Sequence, residues 1–467
     1  MAPRNVRIRS RKLQEQHPAV CHLSRKRWPI PVYAAESLQS RWFTGAERIK
    51  TGKIGKQEVK KVIEIQVPEA ARKIIEQLNT SGFEAYVVGG CVRDSLLGRQ
   101  PEDWDITTSA KPEQVKEIFN RTVDTGIQHG TVTVLIDHEG YEVTTYRIDG
   151  EYEDGRHPKS VEFTGNLLED LKRRDFTINA MAYSDREGLV DAFDGVKDLE
   201  GRVIRCVGNP LDRFTEDALR ILRAIRFSAQ LGFDMEAETR AAISVIAPNM
   251  AKVSKERIQV ELTKLLLSDH PGRLKDVYEN GIGPYISKHF EAAGKQPFES
   301  ERFTELPPVK HMRWSGFLRL EDPEDAVRIL KELKLDNDTI YQTKTLVSLW
   351  KTEISAHKPA IRQVMSTLSP ELFKDLLWFQ KVFCHPSYKN RLEMMEQYSD
   401  EILRAGDCIR LKDMAVTGRE LIDAGMKPGP EMGTVLNRLF QLVLEKPECN
   451  NREYLMKSAE QFIKEQG

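Results

Sequence analysis

A chain of 467 residues with 40% apolar and 30% charged side chains has the composition of a globular protein. Its length suits about three domains of roughly 100–200 residues each, and no apolar run approaches the roughly 18 residues of a membrane-spanning helix. The net charge of −1 conceals an asymmetry: residues 1–61 hold fifteen Lys/Arg against four Asp/Glu, which leaves the remainder acidic by about twelve charges. A nucleic-acid surface there needs a local basic path, not bulk charge.

The six cysteines are scattered and form no CxxC, so the spacing offers neither a zinc site nor a disulfide framework. Free thiols fit a reducing cytoplasm. Residues 1–58 are basic and aperiodic. They read as a disordered N-terminal extension or translated upstream sequence, with an Arg-rich, acid-poor targeting segment as the alternative. The segment has no apolar core of the secretory kind.

From there the spacing predicts, in order, a helix over 68–78, a strand over 83–88 ending at Gly89-Gly90, and a short helix over 92–97. A strand over 104–108 and a helix over 112–119 follow. Alternating strands at 131–136 and 141–147 flank a hairpin signal at His138-Glu139-Gly140. Asp149 to Lys159 is a polar loop with Asp149, Gly150, Gly155 and Arg156. Strands and helices mix up to about residue 205. Beyond 212 only helical spacing remains, at 215–231, 237–246, 255–267, 326–333, 370–383, 431–444 and 451–464. The fold class is α+β: a small mixed-sheet head followed by an all-helical remainder.

Three features carry chemistry. Gly89 and Gly90 after a strand let phosphates approach backbone N–H groups, with Arg93 one helical turn on. Asp103 and Asp105 sit at i and i+2, the same face of a strand. With Glu142 on an adjacent strand, three carboxylates would converge as hard oxygen ligands for Mg²⁺ and substrate phosphates. The third feature is the run TEDALRILRAIRF from Thr215, read as one helix N-capped by Thr215. Glu216 and Arg220 form an i,i+4 pair. An Asp217 acceptor beside an Arg220 donor matches the amino-donor and ring-nitrogen edge shared by cytosine and adenine, and opposes uracil and guanine at about 1–3 kcal/mol per unpaired buried group. Arg223 and Arg226 follow at steps that rotate about 60° around the helix, which turns Arg226 away.

The motifs VVGGCVRD, EDWDIT, EVTTYR, RRDFTINAMA and DALRILRAIRF, in this order, resemble the class II tRNA nucleotidyltransferases, the bacterial CCA-adding enzymes of the polymerase-β-like superfamily. The resemblance covers roughly residues 60–460. It implies a nucleotidyltransferase head over 59–205, a helical neck with a nucleotide-templating helix over 206–275, a body over 276–365 and a tRNA-binding tail over 366–467. It implies Asp103, Asp105 and Glu142 as catalytic residues, with the first two on Mg²⁺. Gly89, Gly90, Arg93, Arg174, Asn179, Asp217, Arg220, Arg223 and Arg226 would surround the nucleotide, with Glu216 orienting Arg220.

The implied activity is template-independent addition of C, C and A to tRNA 3′ ends from CTP and ATP. The loop with Asp149, Gly150, Gly155 and Arg156 would be the flexible element that CC-only enzymes lack. The expected partners are tRNA, ATP and CTP, with no membrane and no stable protein partner. A poly(A) polymerase or A-adding enzyme shares the head and remains open, as does a tRNA-binding protein without catalysis.

Overall fold

In the computed structural model, residues 63–150 and 161–466 are described; the segment 1–58 and loop residues Gly155 and Arg156 lie outside them. The first helix, α1 (Glu69–Thr80), buries Ala71, Ile74, Ile75 and Leu78 along one stripe. It leads into β1 (Ala85–Val88), whose four apolar residues are all buried. Ala85 and Val87 join the main core, while Tyr86 and Val88 pack with Tyr146, Leu167 and Leu171 on the other face. Burial on both faces explains why this strand reads as an unbroken apolar run.

After β1 come α2 (Gly90–Leu96), β2 (Ile106–Thr108), α3 (Pro112–Ile118), β3 (Thr122–Gly126), β4 (Thr131–Ile136) and β5 (Glu139–Thr145). Then follow β6 (Arg147–Asp149), β7 (Val161–Phe163), α4 (Leu167–Lys172), β8 (Met181–Ser184), β9 (Gly188–Asp191) and α5 (Gly195–Gly201). Seven strands form one sheet in the order β3-β4-β5-β2-β1-β8-β9. Every pairing in it is antiparallel except β2 with β5.

Two local expectations shift, and one stretch with no assigned element takes form. The β4–β5 turn is the pair Asp137-His138, at φ 49° and 71°, one residue earlier than the glycine suggested; a two-residue hairpin needs positive φ at both positions. Asp149 belongs to β6, which pairs with β7 and brackets the polar loop. RRDFTINAMA, which no single period describes, becomes a 3₁₀ turn at Thr177–Asn179 and then β8.

The helical remainder opens with β10 (Val203–Ile204) and α6 (Pro210–Glu216), then α7 (Leu219–Leu231), β11 (Asp234–Met235), α8 (Ala237–Ile246) and α9 (Lys255–Leu266). β10 and β11 pair in parallel, so a short strand does occur beyond residue 212. Longer helices at Lys310–Leu318, Pro323–Glu332, Asn337–Leu349, Lys358–Thr367, Pro370–Phe383 and Lys389–Ala405 carry the chain onward. One core runs from Ile65 to Ile409, and a second gathers Cys408 to Ala459 around the helix Pro430–Glu445. Buried Arg362 joins the two: it donates to the carbonyls of Leu444 and Glu445 at that helix's C-terminus and to Asp407 (2.6, 3.0 and 2.8 Å).

Candidate active site

Asp103 and Asp105 precede β2 and are not part of it. The Asp105 carbonyl still accepts a hydrogen bond from Val88 N at 3.0 Å, so the pair rides on the edge of β1. β2 runs parallel to β5 with Ile106 opposite Val143, which sets Asp105 beside Glu142 one step back along the register. Ile106 and Val143 turn into the core, so the carboxylates take the other face.

Burial pushes the Asp105 carboxyl up, the charges of Asp103 and Glu142 push it further, to about 6, and Arg174 pulls the other way. Such like-charge crowding is what a bound cation relieves, and hard carboxylate oxygens are the donor set a divalent cation takes. Among the described residues, however, no three His, Cys, Asp or Glu side chains stand close enough to hold a metal ion. Glu142 stands close enough for its charge to act on Asp105, and the residues expected to take the metal are the two aspartates, Asp103 and Asp105. Glu142 is exposed on β5.

Gly89 links β1 to α2 at φ 81°, ψ −123°, and its N–H donates to Met181 O at 3.1 Å. A Cβ there would lie 2.9 Å from Arg174 Nη1, so only glycine lets that guanidinium lie against the turn. Arg174 Nη2 reaches Asp170 at 3.4 Å, while its Nε is buried without a protein partner. Gly89, Arg174 and Asp105 thus come together, with the Arg174 charge acting on Asp105 and its Nε left unpaired.

Arg93 starts one turn beyond Gly90. Its Nε and Nη2 bind Asp94 at 2.9 and 2.7 Å, its Nη1 binds Asn179 Oδ1 at 2.7 Å, and its guanidinium lies 5.0 Å from the Phe227 ring. Asn179 Nδ2 donates to Asp175 Oδ1 at 3.1 Å, and Arg223 closes on Asp175 Oδ2 through Nε and Nη2 at 2.7 and 2.6 Å. Asp175 was not singled out from sequence. Burial works against its ionised form, but Arg223, Asn179 and Arg220 outweigh it and hold the carboxyl at about 2. Arg226 does not join this set. It is buried, stacks 3.8 Å from Phe227 and pairs with Glu261 on α9 and with Gln230, as the rotation around α7 requires.

The run from Thr215, expected from sequence to read the base, is not one helix. Asn209 accepts from Leu211 N and Pro210 occupies the first helical position, so α6 starts early and ends at Glu216. Asp217 is extended (φ −145°, ψ 103°), and α7 begins at Leu219. Thr215 is therefore in the last turn of α6, donating to Leu211 O at 2.7 Å, and is no N-cap. The kink places Asp217 at a half-buried corner between two helices. Glu216 does grip Arg220, 2.6 Å from Nη1, and Arg220 also donates to the carbonyls of Arg173 and Arg213. Asp217 is held by Arg257 of α9, with Nη2–Oδ2 at 2.7 Å and Nη1–Oδ1 at 3.3 Å. Arg257 lies forty residues on, where no sequence signal marks it.

A mixed sheet bearing paired aspartates behind a Gly-Gly turn, followed by a helical arm, defines a nucleotidyltransferase. Family models support this in series. The poly A polymerase head domain matches residues 85–205, the probable RNA and SrmB-binding site of polymerase A matches 232–293, and a putative tRNA nucleotidyltransferase domain 2 matches 310–459. The chain is 36% identical over 419 residues to a CCA-adding enzyme of Ligilactobacillus salivarius, covering 85% of this chain and 98% of that one. It is 38% identical to that of Enterococcus faecalis, covering 83% and 95%. The crystal structure of the Bacillus stearothermophilus CCA-adding enzyme in complex with CTP superposes with a TM-score of 0.70 at 31% identity, over 85% of this chain and 98% of that one. A Thermotoga maritima CCA-adding enzyme complexed with tRNA shares the fold at a TM-score of 0.54 and 21% identity, over 83% and 94%. The chain belongs to the CCA-adding enzyme family of tRNA nucleotidyltransferases.

Proposed function

We propose that Asp103 and Asp105 hold a divalent metal, that Gly89, Gly90 and Arg174 receive the triphosphate, and that Asp217 and Arg220 read the base. The enzyme adds C, C and A to tRNA 3′ ends from CTP and ATP. The terminal ribose hydroxyl attacks the α-phosphate, the new phosphodiester forms, and pyrophosphate leaves. The observation that carries this is the grouping of Asp105, Glu142, Arg174 and the Gly89 turn at the central strands β1, β2 and β5, upstream of a braced Glu216–Arg220 pair.

Members of this family are metal-dependent, and Mg²⁺ is the ion we assign here. When bound, it would lower the pKa of the attacking hydroxyl and neutralise charge on the leaving pyrophosphate. Glu142 adds negative charge beside Asp105. Arg174 offers its unpartnered donors to phosphate oxygens. Arg93, Asn179, Asp175 and Arg223 form a buried chain that holds α2 and α7 in place around the sugar and base. Arg226 supports α7 from behind through Glu261.

We divide the chain into head (59–205), neck (206–275), body (276–365) and tail (366–467), with the tail as the tRNA-gripping end; the head match also ends at 205, whereas the matches at 232–293 and 310–459 span the neck–body and body–tail divisions. No described helix is long and apolar enough to cross a membrane, and the described cysteines are free thiols. We place the enzyme in the cytoplasm on that basis.

One assay tests the reading. tRNA lacking CCA and tRNA ending in CC are each supplied with labelled CTP or ATP, and the products are sized. Incorporation of two C and then one A is expected. ATP incorporation alone, or a long A tail, would point to an A-adding enzyme or a poly(A) polymerase. A variant exchanging Asp217 and Arg220 should shift acceptance toward UTP and GTP; unchanged selectivity would sink the base-reading role.

A further inference from the structure

Asp170 of α4 has no exposed surface, yet it gathers donors from four separate points. Its Oδ1 accepts from Arg173 Nε and Nη2 at 3.0 and 2.7 Å and from the Arg147 backbone N–H at 3.4 Å. Its Oδ2 accepts from Thr107 Oγ1 at 3.3 Å and Arg174 Nη2 at 3.4 Å. A buried carboxylate is costly unless paired and hydrogen-bonded. Burial opposes its charge, and Arg173 and Arg174 overcome that and keep its carboxyl below the usual range.

The identities of the donors give the cluster its meaning. Thr107 lies two residues beyond Asp105 on the same continuous stretch, so its side chain shares the face of the two aspartates. Arg147 opens β6, directly after the strand of Glu142. Among the described residues Asp170 is the one hydrogen-bond acceptor of the Arg174 side chain, whose Nε is buried unpaired and whose Nη1 lies against Gly89. An apolar core could replace a purely structural ion pair. It could not aim one guanidinium at the turn while tying it to the aspartate-bearing strand.

We propose that Asp170 is a positioning residue that sets Arg174 at a fixed place relative to Asp103 and Asp105, and so sets where the triphosphate lies against the metal-binding edge. The proposal rests on the reading of Arg174 as a triphosphate contact. Both nucleotides carry the same triphosphate, so the effect is common to CTP and ATP and absent for tRNA.

The test is a double-mutant cycle on the full chain with Asp170→Asn, Arg174→Ala and both together, measuring KM and kcat for CTP and ATP and Kd for tRNA. Asp170→Asn should raise KM for both nucleotides by the same factor, about tenfold for loss of a charge-assisted pair, with tRNA affinity unchanged. In the Arg174→Ala background the same change should add little, because contacting groups that act together are not additive. If Arg174→Ala leaves nucleotide KM unaltered, the triphosphate reading itself fails. If Arg174→Ala raises KM while Asp170→Asn does not, or the two effects add in full, the positioning role is overturned. Should Asp170→Asn not fold, Thr107→Val removes the hydroxyl that ties Asp170 to β2, together with its 3.3 Å contact to Thr144 O on β5. It should raise both nucleotide KM values roughly threefold, and unchanged values would overturn the proposal.

Discussion

Arg257 of α9 and Asp217 at the α6–α7 corner form a two-point ion pair, 2.7 Å from Nη2 to Oδ2 and 3.3 Å from Nη1 to Oδ1. Glu216 braces Arg220 in the same way from α6. Each half of the proposed base-reading pair therefore has an opposite charge behind it. A carboxylate keeps about four acceptor positions, so Oδ2 retains capacity for an amino group of the incoming base.

Removing the Asp217 brace should loosen base choice. Arg257→Ala is expected to lower kcat/KM for CTP and ATP about tenfold, the order of one charge-assisted hydrogen bond, and to raise the relative use of UTP. Single-nucleotide incorporation with each of the four triphosphates measures this. Equal loss for all four, with ratios unchanged, would assign Arg257 to structure alone.

Metal withdrawal should stop addition without releasing RNA. Chelation is expected to abolish incorporation, and Mg²⁺ to restore it. Asp105→Ala should leave activity at background with Mg²⁺ present. Gel-shift affinity for tRNA should stay within about threefold of the parent, since the proposed grip on tRNA lies in the helical tail and acts through phosphate contacts. Persistent incorporation by Asp105→Ala would remove it from the catalytic set.

Gly89→Ala should damage the phosphate turn. A residue with a side chain is strained at φ 81°, and its Cβ would press on Arg174 Nη1. Roughly 1–2 kcal/mol of stability should be lost, seen as a fall in Tm, together with higher KM for both nucleotides. A Tm loss with normal KM would separate the turn from triphosphate binding.

Acid stability should depend on Asp175. Its carboxyl sits at about 2 in the fold against an unfolded value near 3.8, so its stabilisation is present above the unfolded value and drains away as pH falls from about 4 to 2. At neutral pH the contribution is of order 2 kcal/mol. Asp175→Asn should unfold at lower denaturant at pH 7, and its stability should fall less steeply between pH 4 and 2. Parallel acid-unfolding curves for the two proteins would contradict that origin.

Much of the site is legible in the residues themselves. Gly89 needs a φ that only glycine adopts freely, and paired aspartates two residues apart share a face in any extended segment. EVTTYR places Glu142 by simple alternation. The helical run after Asp212 also declares itself by period, but its interruption does not. Asn209-Pro210 was the available signal for an earlier start, and the apolar spacing around it masked the break at Asp217. The strands β8 and β9 and the pair β10–β11 are too short for a period to show.

What the chain alone determined is the local chemistry: which residues can turn tightly, bind a cation or offer a donor beside an acceptor, because these follow from side-chain type and spacings of a few residues. What only the tertiary structure decided is the partner of each buried charge. Asp217 with Arg257, Asp175 with Arg223, and Asp170 with Arg174 and Thr107 are choices among many cations and donors. Burial makes the choice, since a charge taken from water must find whichever opposite group the packing of helices and strands brings within reach.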